Sequence, residues 1–262
     1  MEGRTHVLEL PSYALHLMDQ VLERTGCRIE LAEEEGIGYD SLLRLAGREG
    51  PEHRVAYVPE YRDFGVHFLV SGAYKVLRIW DVPEQERYLP ATETARGLPA
   101  EDLAELRRKL HHLCERHLED TLSRFLYHGI VRQLTSVPVD IRVERKIADE
   151  LPVHKPRQDA YLARQVRDFE PHFAPEIREF CPERLYAAST AMNVVLAEEF
   201  SELTGRTPAD VIRTTPHRAL GERLRERLHA VREDGYTGDR IATDAWAREV
   251  GMEGWFEWVR MD

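Results

Sequence analysis

Apolar positions recur every three or four residues over most of the chain, and every second residue in a few short runs. The first kind of spacing predicts helices and the second predicts strands. "SYALHLMDQVLERTG" opens at Ser12, an N-cap type, and closes at Gly26. Leu15, Met18, Val21 and Leu22 give it helical spacing. "CRIELAEEE", "YDSLLRLAG" and "HRVAYVP" then read as three short strands, which we expect to pair as an antiparallel meander. From about Arg62 to Trp80, residues Val66, Leu69, Val70, Ala73, Val76, Leu77 and Trp80 form an apolar stripe at i, i+3, i+4 spacing. A helix is predicted there, with His67, Ser71, Lys75 and Arg78 on a polar side.

Asp81, Pro83, Pro90, Gly97 and Pro99 mark a long loop. After Pro99 the pattern is helical. It predicts one helix or two from Pro99 to Leu134 with Gly129 as a break, and a short helix starting at Pro138. Further helices are expected over Gln158 to Phe169, Pro182 to Leu203, Pro208 to Val231 and Asp239 to Val250. The aromatic tail "GWFEWVRMD" is expected to dock onto the helices. The fold class is therefore α+β and mainly helical, with a small antiparallel sheet near the N-terminus followed by a helical bundle. The expected division is residues 1–98, helix, meander and motif helix, and residues 99–262, the helical part, packed together as one unit.

A length of 262 residues with 42% apolar and 32% charged positions is the profile of a globular protein with a real core. The net charge of −11 makes nucleic acid an unlikely partner. The longest apolar runs fall far short of the roughly 20 residues a membrane span needs, so no membrane partner is expected. Three scattered cysteines without a CxxC, and no apolar leader, point to a reducing cytoplasm.

No HExxH, GxSxG, Walker A or GxGxxG pattern is present. His111, Cys114 and His117 spread over about 120° of helix surface, so one helix cannot aim all three at one ion. They remain only a weak alternative metal site. Asp140 and Glu144 are four residues apart, a spacing that suits a metal or a shared proton, and suits a solvated helix start at least as well. Ser71 and Lys75 have the spacing of a serine–lysine dyad, but mid-helix the backbone offers no oxyanion hole.

The order of a helix, short strands, and a helix after "HRVAYVP" resembles the ImmA/IrrE-like metallopeptidases and related minimal zincins. In that resemblance "SGAYK" stands where HExxH would be. Ser71 falls at the first histidine, Gly72 at the catalytic glutamate and Lys75 at the second histidine. "VDIRVERKI" looks like the third-ligand helix, with Glu144 at the ligand position and Asp140 beside it. The resemblance implies a degenerate site from which zinc is lost, with no cofactor, and with the Lys75 ammonium in the cation's place beside Glu144. The expected function is a non-catalytic protein-binding or regulatory module with a protein or peptide partner, and self-association left open. One alternative is an active hydrolase built from Glu144, Asp140 and a histidine such as His67 or His128. Another is a structural subunit joined through the His111–Arg124 helix or the aromatic tail.

Overall fold

The structure, a computed structural model, describes residues 9–47, 50–93, 95–110 and 116–261. The fold is α+β and mainly helical. No described helix is long and apolar enough to cross a membrane. The chain forms two compact units that interleave in sequence. The first takes in the described residues of Met1–Arg87, Lys146–Tyr161 and Met261–Asp262; the second takes in those of Tyr88–Arg145 and Leu162–Arg260. The first of these boundaries follows Arg87, and the chain returns to the first unit at Lys146.

In the first unit, α1 (Ser12–Thr25) is followed by β1 (Ile29–Glu33), β2 (Ser41–Arg44), β3 (His53–Tyr57), a 3-10 segment (Pro59–Phe64) and α2 (Gly65–Trp80). Helix α1 begins after Pro11 rather than on a Ser12 cap, and ends where Gly26 turns left-handed at φ 74°. Its buried residues are Ala14, Leu17 and Val21, while Leu15 and Leu22 are exposed. The sheet is not a meander. Its order is β1-β3-β2, with β3 parallel to β1 and antiparallel to β2. Strand β3 buries Val55, Ala56 and Tyr57 in succession, as a middle strand covered on both faces does. Helix α2 packs on α1 and on strands β1 and β3. It is buried almost all round, and the supposed polar side includes His67 and Arg78, both buried. Arg87 donates to the carbonyls of Trp80 and Val82, closing the C-terminal end of α2, and stacks on the Trp80 ring.

The second unit contains β4 (Tyr88–Ala91), α3 (Ala100–Leu110), most of α4 (Arg116–Glu150), the end of α5 (Lys155–Phe169), α6 (Pro175–Phe180), α7 (Glu183–Thr204), α8 (Asp210–Thr214), α9 (Arg218–Ala230), α10 (Gly235–Glu249) and β5 (Glu257–Arg260). Neither Gly129 nor Pro138 interrupts α4. The expected short helix at Pro138 is part of this one, because the buried series Tyr127, Ile130, Leu134, Val137 and Ile141 runs straight across it. Helix α7 is buried on nearly every side. Helix α9 lies close against it at Gly221, where a Cβ would stand 3.0 Å from Val194 and 3.2 Å from the Ala191 carbonyl. The indole of fully buried Trp246 on α10 donates to the Leu224 carbonyl at 2.8 Å.

The expected loop after Asp81 holds a strand. Strand β4 pairs antiparallel with β5, so the aromatic tail docks as a strand. Trp255 stacks on Tyr127, Trp258 donates to Asp244, and Arg240 lies over the Tyr88 and Trp258 rings.

Candidate functional site

On α2 the positions singled out by sequence differ in what they meet. A Cβ on Gly72 would lie 2.5 Å from Val55 Cγ2 and 3.8 Å from Ile29 Cδ1. Position 72 therefore faces the middle strand of the sheet at close approach, and a longer side chain there meets the Val55 side chain at once. Ser71 and Lys75 are half-buried. Tyr74, on the other side of the helix from Gly72, is buried, and its hydroxyl is pushed up to about 12 by burial, with the Glu150 carboxylate adding to the shift.

His67 is drawn into a cluster that sequence spacing does not reveal. His67 Nδ1 lies 3.1 Å from His154 Nε2, and the two rings stack with an interplanar angle of 9°. His154 Nδ1 lies 3.0 Å from the Tyr13 hydroxyl, and Arg157 donates to that hydroxyl at 3.4 Å. The contacts link Tyr13, His154 and His67 in one hydrogen-bonded series. Tyr161 covers the His67 ring at 4.4 Å. Both histidines are buried, so this chain orders the interior of the first unit. Tyr13, His67 and His154 come from α1, α2 and the 3-10 turn before α5, and no local pattern links residues so far apart in sequence.

Lys75 belongs to the first unit; Asp140, half-buried, and Glu144, buried, belong to the second. His128 lies 3.2 Å from the Thr92 hydroxyl. It is twelve residues from Asp140 on α4, about 18 Å along the axis, so these two do not share a site. His111 and Cys114 lie outside the described residues, as does the side chain of His117. Among the described residues no three His, Cys, Asp or Glu side chains cluster as a metal site needs. Burial pushes the Cys181 thiol up to about 11, which keeps it protonated and a poor nucleophile.

The second unit contains a charged constellation that the sequence reading passed over. Glu199 on α7 is fully buried. It accepts from Arg145 and Arg225 at 2.7 Å each, and lies 2.9 Å from His229 Nε2. Burial pushes its carboxyl up, but the hydrogen bonds and charges of Arg225 and Arg145 prevail and hold it below the ordinary carboxylate range. Beside it opens a cavity of about 700 Å³, lined from α7 by Glu198, Ser201 and Glu202, then by Arg206 after its end, by Arg213 on α8, and by the charged face of α9. The signal was in "RALGERLRERLHA": Arg218, Glu222, Arg225, Glu226 and His229 fall on one side of a helix at three- and four-residue steps.

Comparison of the chain with protein-family models, with curated proteins and with solved structures finds no match to any of them.

Proposed function

We propose that the chain is a non-catalytic, zincin-like protein that acts in the cytoplasm as a binding or regulatory module for a protein or peptide. The observation that carries the non-catalytic reading is the seat of Gly72. If "SGAYK" occupies the motif position, the residue that should activate water is a glycine, which has no carboxylate, packed closely against the Val55 side chain. Ser71 and Lys75 replace the two imidazoles, and neither a hydroxyl nor an ammonium holds Zn²⁺ well. On this reading the polar residues of α2 serve the interior of the first unit, as His67 does through His154.

The test is metal content and hydrolysis together. Protein purified without chelator and then offered equimolar zinc is expected to retain well below one zinc per chain after desalting, and to leave unfolded casein intact. One zinc per chain, with casein cleavage that a chelator abolishes and zinc restores, would establish an active metallohydrolase instead.

A further inference from the structure

Nearly every charge on the wall of the second unit's cavity is already matched. Arg213 pairs with Asp210, Arg218 with Glu198 and Glu222, Arg225 with Glu199 and Glu202, and His229 with Glu199. Among the described residues, two lining charges have no ion pair: Arg206, just past the end of α7, and Glu226 on α9. They are of opposite sign and both are exposed. Ser201 lines the same cavity. It is only 3% exposed, and its buried hydroxyl has no hydrogen-bond partner.

A simple anion fits this wall poorly. It would have to compete with carboxylates already held by Arg213, Arg218 and Arg225, and Arg206 alone would be left to hold it. A simple cation meets the mirror-image difficulty, with Glu226 alone available. A ligand carrying one charge of each sign matches both vacant partners, and it leaves the paired network as it is. The volume of about 700 Å³ is that of a site for a drug-sized molecule, larger than one amino acid needs.

We infer that this cavity binds a short, free peptide as a zwitterion, its terminal carboxylate at Arg206 and its terminal ammonium at Glu226. The inference stands on the second unit alone. It is independent of the reading of α2, and the zinc experiment does not bear on it.

The probe is trialanine, titrated into the full chain and followed by calorimetry and amide chemical shifts, with N-acetyl-trialanine amide as the uncharged counterpart. Saturable binding of trialanine is expected, at least about tenfold tighter than that of the blocked peptide. Arg206→Gln and Glu226→Gln should each weaken trialanine binding about tenfold, the loss of one charge-assisted contact. Both side chains are exposed and carry no ion pair among the described residues, so these substitutions leave the fold standing. Three results would each overturn the proposal: no saturable binding of trialanine, equal affinity for the blocked peptide, or an affinity that either variant leaves unchanged.

Discussion

His53 is fully buried between three neighbours that settle its protonation. The Ala46 N–H donates to Nδ1 at 3.0 Å, so the ring proton sits on Nε2, 3.2 Å from the Thr25 hydroxyl. That hydroxyl also accepts from Cys27 N–H and donates to the Cys27 carbonyl, which fills its capacity. The Trp80 ring meets His53 edge-on at 4.9 Å. Burial lowers the imidazole from 6.5 to about 4. Between these values the unfolded chain binds a proton that the folded chain refuses, so stability falls as pH drops through this window. It is fully present above about 6.5. The span corresponds to about 3 kcal/mol. Urea unfolding from pH 7 to pH 4 should therefore show a steeper loss for the parent than for His53→Gln. Parallel curves would mean that His53 titrates normally in the fold. Nothing in the sequence around His53 announces this, because each of its partners is fixed by the fold rather than by a local motif.

Between elements, the decisive contact is α2 on β3 at Gly72. Alanine normally favours a helix over glycine by about 1 kcal/mol, so Gly72→Ala at an open position would stabilise. Here the new Cβ would stand 2.5 Å from Val55 Cγ2, and overpacking of that kind costs about 1–3 kcal/mol. We expect net destabilisation, with Val55→Ala recovering part of it in the double variant. Strictly additive effects would show that the two residues are not in contact. The same pair shows where sequence reading succeeds and stops. The stripe from Val66 to Trp80 defines the helix, because helical spacing is a local property. Which strand it covers depends on sheet order, and alternation in β1, β2 and β3 is blind to order. Strand β4 is four residues long, contains Pro90, and pairs with a strand at the far end of the chain, so its pairing left no local trace. Pro138 was misleading because proline usually opens a helix, whereas here the apolar series continues through it. At the candidate site, sequence brought out α2 and its unusual residues. His154 and the cavity beside Glu199 depend on partners that spacing along one helix cannot supply.

For the whole molecule, the interleaving of the two units sets what can be separated. A fragment ending at residue 98 would contain the sheet and α2 but lack Lys146–Tyr161. His67 would lose His154 and Tyr161 together, and the buried side of α2 would open to water. Such a fragment is expected to show no cooperative urea transition and poorly dispersed amide resonances. A sigmoidal transition with dispersed signals would show instead that the sheet and α2 suffice alone. The same chain order has a consequence in time. A ribosome delivers α2 complete at Trp80, but His154 and Tyr161 follow only after roughly 75 to 80 further residues, about 4–16 s at ordinary rates of synthesis. During that interval Phe68 and the neighbouring apolar side chains of the nascent helix are without their late-arriving cover, which makes this the stretch of translation in which chaperones have their opening.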